Sequence, residues 1–537
     1  MSDNHQKNIV ICSDGTGNSD VKGRGSNVFK LYEAVDIQGH KTDGNKIRQI
    51  AFYDDGVGTS DDPFKKLLGA AFGYGFSKNV QELYRELVRV YKLGDQIYLF
   101  GFSRGAFTVR TLAGFIQYCG ILDRNHFSTN SDLEEAIEKC WYDFKGNTFE
   151  KRTIRQAVSK EAGNAERIEA KRKEDGERRN KDLVLLNEDL APNGEIPIEF
   201  IGVWDTVAAV GSPFRGLTEW LPIWFKDLTL GYTVLKACHA LSIDDERLTF
   251  LPELWNEFPE PNDELNDPRV EQVWFAGVHS NVGGGYPKHG MSMDTLDWMM
   301  TKANIHGLRF NQEAMDYVNT ARDVHGELYD SRAGFGKYYR WQPRDIFKLC
   351  KESNIGKPKI HVSVFERLAQ GTDGYAPGNI PFNCEIVNHS AWPVNPPDLF
   401  KAQTEFSDQG KLKATGKNSL LEKDNIERTI SRGRKIYYFS LFITGFLLIN
   451  IFPLLVALIR GFILKQELIA ILMSETTFFL SIPVILFVPV AVIALIAIWL
   501  VTRNIITKNL LDEYSKFWSD HRDNGLSLRG ELRKLDF

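Results

Sequence analysis

The chain has 537 residues, 43% hydrophobic and 25% charged, which is enough for two or three domains or one large domain with appendages. A formal net charge of −5 gives no support to nucleic-acid binding as the main task. Six scattered cysteines, Cys12, Cys119, Cys140, Cys238, Cys350 and Cys384, form no C-x-x-C pair, which argues against a zinc cluster or a disulfide scaffold.

The N-terminal stretch MSDNHQKNIVICSDG lacks a long apolar signal core, so the globular part is expected to fold in the cytosol. Asn8 to Cys12 reads as a buried strand and runs into Ser13-Asp14-Gly15-Thr16-Gly17-Asn18. Glycines there let the main chain approach a substrate, so an amide of Gly15 or Thr16 can serve an oxyanion hole. A plain tight turn is the alternative, and a phosphate loop would need a lysine that is missing. Arg48 to Tyr53 reads as a second strand ending in Asp54-Asp55, a carboxylate pair suited to a metal or, more commonly, to a helix cap. Gly69 to Gly75 is read as a flap near the site, and Asn79 to Val90 as an amphipathic helix.

The centre of the chain is QIYLFGFSRG, Gln96 to Gly105. Ile97 to Phe100 form an apolar strand, Gly101-Phe102-Ser103-Arg104-Gly105 fits G-x-S-x-G, and a helical apolar repeat follows until Gly120. Strand, sharp turn and helix are the context that turns this pattern into a nucleophile elbow. Gly101 and Gly105 leave room for the tight turn, Ser103 is the candidate nucleophile, and the amide of Arg104 opens the helix toward a developing oxyanion.

Residues 145–190 read as a charged insertion, mixed in sign and too polar to bury a core. Ile198 to Trp204 is another buried strand ending at Asp205, which is either the acid of a triad or the cap of a following helix. Val234 to Leu248 reads as a helix carrying His239. Val270 to Val278 reads as the last sheet strand, ending in His279 on the glycine-rich loop HSNVGGGY. The order Ser103, Asp205, His279 is that of an α/β hydrolase, with His279 favoured as base and His239 as the alternative. Met293 to Lys302 looks helical, while Ile360 to Leu368 and YAPGNIPFN finish the domain or build a lid.

Two long apolar stretches, about 436–459 and 477–501, exceed the roughly 20 residues needed to cross a bilayer. Basic residues flank their outer ends, which predicts a two-span hairpin with both ends cytoplasmic. The expected division is a catalytic domain over 1–420, a transmembrane hairpin over 421–510 and a cytoplasmic tail over 511–537.

ICSDGTGNS, YLFGFSRGAFTVRTLAGFI, FIGVWDTVAAVG, HALSIDDER and VWFAGVHSNVGGGY together carry a resemblance that spans roughly Asn8 to Ala376. The chain resembles the α/β hydrolases classed as domain of unknown function 2235, which include the first class of type VI secretion lipase effectors. The resemblance implies a mostly parallel sheet flanked by helices and a serine ester hydrolase that cuts phospholipid acyl chains. It assigns Ser103 as nucleophile, Asp205 as acid and His279 as base. An aspartate often stands in that family where this chain has Asn281. The expectation is thus a membrane-anchored phospholipase, needing no cofactor or metal, in a bacterial inner membrane with its catalytic domain on the cytoplasmic side. Its role would be that of an antibacterial toxin or an anti-phage effector. Expected partners are phospholipid substrate, the bilayer, an inhibitor or activator protein and further copies of the chain, and no nucleic acid. A non-catalytic or pore-forming protein using the fold as a docking platform, and an esterase of small substrates, are the alternatives.

Overall fold

The structure, a computed structural model, describes residues 6–15, 25–56, 72–158, 195–207, 228–257, 269–332, 342–381, 384–388 and 393–394, with a few isolated positions elsewhere. Thr16, residues 69–71 of the expected flap, most of the charged insertion, nearly all of both apolar stretches and the tail lie outside the described residues. Among the described residues no helix is long and apolar enough to cross a membrane.

One sheet organises the described residues. Its strands are β1 (Lys7–Ser13), β2 (Arg48–Asp54), β3 (Gln96–Phe102), β4 (Ile198–Trp204), β5 (Val234–Ser242), β6 (Val270–Phe275), β7 (Lys359–His361), β8 (Glu385–Val387) and β9 (Pro393–Val394). They lie in the order β2-β1-β3-β4-β5-β6-β7-β8-β9, parallel throughout except for the antiparallel β8–β9 pair. Helices cover both faces, which is why the strands read as nearly continuous apolar runs. Residues alternate between the layers with the period of two that a strand imposes. Ile9, Ile11, Ile97, Leu99, Ile201 and Val203 pack on one face with the helices Phe72–Val90, Arg104–Cys119 and Asn130–Val158. Val10, Cys12, Tyr98, Phe100, Phe200 and Trp204 pack on the other with Asn27–Ala34, Gly290–Ile305 and Gln312–Ala321.

Two readings of the sequence are corrected here. Val234 to Leu248 is not a helix: its first nine residues form β5, between β4 and β6 in the middle of the sheet. Lys236 is tolerated there because its ammonium meets Glu271 of β6 at 3.5 Å, an example of tertiary context outweighing local preference. The strand read as Val270 to Val278 ends at Phe275, and it is not the last, since β7 to β9 extend the sheet beyond it. Ile360 to Leu368 divides into the end of β7 and the helix Val362–Gln370. In addition, Phe72 to Gly75 of the expected flap belong to the helix Phe72–Val90.

The topology also locates the functional rim. From β1 the chain moves outward to β2, then crosses to the opposite side of β1 for β3. Ligands of open parallel sheets bind at the carboxyl ends of the strands beside such a reversal. Ser13 ends β1 there, paired with Gly101, two residues before Ser103.

Candidate active site

Ser103 stands between β3 and the helix Arg104–Cys119 with φ 58° and ψ −119°, a backbone conformation that an L-residue adopts only when its surroundings enforce it. The enforcement is visible on both sides. Val109, Leu112, Phe115 and Ile116 of the helix are all fully buried, and each stabilises the packing by about 1.5–3 kcal/mol relative to exposure. β3 is pinned between β1 and β4, and the Ser103 amide donates to the Trp204 carbonyl at 3.0 Å. The turn tolerates no side chain at its glycines. A Cβ on Gly101 would lie 2.5 Å from the Gly105 oxygen, and one on Gly105 would lie 2.1 Å from the Ser13 oxygen. The Ser103 side chain does not cap the helix that it begins, so its hydroxyl is not spent on the helix's own amides.

Asp205 follows β4, next to β3, and has φ +39°. Its carboxylate is fully buried and accepts from several donors. His279 Nδ1 lies 2.6 Å from Oδ2, and the Ser242 amide donates to Oδ1 at 3.0 Å. Arg344 grips both oxygens, Nη1 to Oδ1 at 2.6 Å and Nη2 to Oδ2 at 2.8 Å. Burial alone would raise the Asp205 carboxyl. The Arg344 charge and the hydrogen bonds from Arg344 and His279 outweigh it and hold the group far below the usual carboxylate range.

His279 does not sit on a glycine-rich loop as the sequence suggested; it opens the short helix His279–Gly283. Its ring packs beside Phe102, with centroids 4.6 Å apart, and edge-on to Phe250 at 5.1 Å. That places the imidazole against the residue immediately before Ser103. With Nδ1 turned to Asp205, Nε2 is the nitrogen left to receive a proton. Burial pulls the imidazole below its ordinary range, against the opposing pull of Asp205. The His279 amide donates to Asp245 Oδ2 at 3.2 Å, which fixes the turn.

His239 is placed differently. It lies on β5, fully buried, and its Nε2 accepts from the Thr206 amide at 3.1 Å. Burial, aided by the nearby Arg110 charge, depresses its pKa to about 3. The side chain braces the turn that carries Asp205 and is already engaged by a backbone donor.

Three further positions singled out in the sequence meet specific geometry. The Gly15 amide donates to Asp14 Oδ1 at 2.6 Å, while Tyr53 and Ser26 hydroxyls bind Asp14 Oδ2. The Gly15 amide is therefore committed to Asp14. Asp54 accepts from Ser13 Oγ at 2.9 Å and from Asn79 Nδ2 at 3.1 Å, so its carboxylate stitches β1, β2 and the helix Phe72–Val90 together. Asn281 donates to the Glu327 carbonyl at 3.0 Å and accepts from the Val278 and Tyr329 amides. The donor to Glu327 is one that an ionised aspartate lacks, which accounts physically for the amide at this position.

Arg344 escaped the sequence reading. It follows no motif, and 139 positions separate it from Asp205.

Ser103, Asp205 and His279 follow β3, β4 and β6 at the carboxyl ends of one parallel sheet, with His279 bound to Asp205 and packed on Phe102, the residue before Ser103. The chain belongs to the T6SS phospholipase effector Tle1-like family, whose catalytic-domain model matches residues 7–302. Over 148 residues it is 30% identical to the uncharacterized protein YEL023C of Saccharomyces cerevisiae, covering 25% of this chain and 20% of that one. A crystal structure of an uncharacterized protein from Pseudomonas aeruginosa aligns over 69% of this chain and 55% of that chain, with TM-score 0.33 and 17% identity. The Tle1 effector bound to the VgrG spike from the type 6 secretion system aligns over 52% and 51% of the two chains, with TM-score 0.28 and 16% identity. The chain thus spans about half the length of these two solved proteins and a fifth of the yeast one.

Proposed function

We propose that this protein is a serine phospholipase that hydrolyses acyl esters of membrane phospholipids and acts as a type VI secretion effector. The observation that carries the reading is the strained Ser103 turn beside the 2.6 Å His279–Asp205 pair. Family membership over 7–302 supports the choice of lipid ester as substrate. In this reading His279 Nε2 takes the proton of Ser103 as Oγ attacks the acyl carbonyl, and Asp205 keeps the imidazole in the Nδ1–H tautomer. The tetrahedral oxyanion is met by the Arg104 amide at the helix N-terminus, where backbone dipoles favour negative charge. His279 then returns the proton to the leaving glycerol oxygen. Water, deprotonated by the same imidazole, releases the fatty acid from Ser103. The two apolar stretches at 436–459 and 477–501 would hold the enzyme against a bilayer, raising the local concentration of its substrate.

The test is fatty-acid release from phosphatidylethanolamine and phosphatidylglycerol by purified full-length protein in detergent. Wild type is expected to turn over both, and Ser103→Ala neither. Undiminished release by Ser103→Ala would falsify the assignment.

A further inference from the structure

Arg344 grips the Asp205 carboxylate but takes no part in the reaction above, and it lies beyond the family match at 7–302. Its side chain is fully buried. A guanidinium taken out of water is costly unless it is paired and hydrogen-bonded. Here the fork is well matched: besides the two Asp205 oxygens, Nη1 donates to the Ser242 carbonyl at 2.6 Å and Nη2 to the Phe250 carbonyl at 2.6 Å. Those two carbonyls come from different segments, the end of β5 and the stretch that packs Phe250 on the His279 ring. Arg344 therefore ties together the carboxylate, the strand behind it and the aromatic wall of the imidazole.

The shared atom is Asp205 Oδ2, which contacts both the His279 ring and the guanidinium. A bidentate arginine fixes the plane of the carboxylate that it grips. A permanent positive charge on that carboxylate also offsets part of the negative field that would stabilise an imidazolium.

We propose that Arg344 is the positioning residue of the Asp205–His279 pair: it sets the carboxylate plane toward Nδ1 and weakens the carboxylate's pull on the protonated imidazole. The inference rests on the serine-hydrolase reading. Under it, His279 stays neutral and able to accept the Ser103 proton at lower pH than an unshared aspartate would permit.

Other titratable and charged groups face the pair and feel the Arg344 charge. They are Asp245, paired with Arg247 at 2.7 Å; Asp244, held by the Gly277 amide and Tyr375 with Arg367 nearby; and His239, with Arg110 beside it.

The experiment uses full-length protein in detergent with phosphatidylethanolamine micelles, and normalises rates to the folded fraction measured by circular dichroism and size exclusion. Arg344→Gln is expected to lower kcat about tenfold to a hundredfold, as loosening of a positioned group does, with KM nearly unchanged. It is also expected to move the acid limb of kcat/KM up by about one pH unit, the size of one screened charge at this separation. Arg344→Lys keeps the charge but loses the fork; it should leave the acid limb in place and recover only part of kcat. In an Asp205→Asn background, Arg344→Gln should add less than about a twofold further loss, because it acts through that carboxylate.

An unmoved acid limb in Arg344→Gln, or full and independent losses in the double variant, refutes the inference while leaving the serine reading intact. Where Arg344→Gln yields no folded protein, wild-type kcat in Arg344→Lys refutes it. Turnover that survives Ser103→Ala refutes the serine reading, and this inference with it.

Discussion

Two glycines of one helix should respond in opposite directions to the same added methyl group. In Gly105→Ala the new Cβ would lie 2.1 Å from the Ser13 carbonyl oxygen and 2.5 Å from that of Asp14. An ordinary carbon–oxygen contact is about 3.3 Å, so the helix start and the end of β1 must separate by about 1 Å. Both partners are backbone, Ser13 paired in the sheet and Asp14 tied through its amide to the Asp54 carbonyl at 2.9 Å, and neither can swing aside. The cost should reach the upper end of overpacking, about 3 kcal/mol, and a nucleophile displaced by about 1 Å should lose about a hundredfold in turnover. In Gly114→Ala, nine residues further along Arg104–Cys119, the nearest atom is Phe144 Cζ at 3.7 Å, an ordinary contact. Ala is the better helix former, so this variant should gain about 0.5–1 kcal/mol and keep its activity. Urea unfolding monitored by circular dichroism measures the first quantity, and fatty-acid release from phosphatidylglycerol micelles the second. Equal stabilities for the two variants, or a fully active Gly105→Ala, would refute the claim that this turn is held by close backbone packing.

Other consequences are open to simpler tests. His279→Gln should lose about 10³-fold or more in turnover, whereas His239→Gln should stay within about tenfold of wild type, since only His279 contacts Asp205 through its ring. Asp244, whose pKa burial raises to about 6, binds a proton in the folded state at pH values where the unfolded chain has lost it. That contribution to stability is present at low pH and disappears as pH rises through about 6. Asp244→Asn can keep the acceptor used by Gly277 and Tyr375, so it should stabilise the protein by about 1–2 kcal/mol at pH 8 and by much less at pH 5 in urea titrations. Asn281→Asp sets a carboxylate oxygen against the Glu327 carbonyl and should cost about 1–3 kcal/mol, read as a lowered unfolding midpoint.

The parts of this molecule that the sequence announces are those in which local pattern and global fold agree. β1, β3 and β4 are apolar runs because both faces of the sheet are covered, and the G-x-S-x-G turn is marked by glycines that close contacts require. β5 was misread because VLKACHALS mixes small, charged and apolar residues whose spacing suits a helix as well as a strand. Its lysine and histidine are acceptable in a central strand only because Glu271 and the Thr206 amide await them on neighbouring segments, and that knowledge is three-dimensional. His279 was legible as a residue closing an apolar strand, although the short helix that it begins was hidden by the glycines that follow. Arg344 left no trace, because a lone arginine in a segment without periodicity reads as solvent-exposed until its carboxylate partner is seen.

The sheet does not stop where the family likeness does. β7 and β8 continue it past residue 302, and Trp274 and Ile360 stand side by side across that junction, both inside a core shared with the helices Ile346–Glu352 and Val362–Gln370. Anyone dissecting the protein at the edge of recognisable homology would cut through a load shared by both pieces. The shorter fragment would carry a bare strand edge on β6, prone to pair with other chains, and an aspartate whose counterion had been discarded with the remainder. A workable boundary for dissection therefore falls after β9, not at the last residue that resembles a relative.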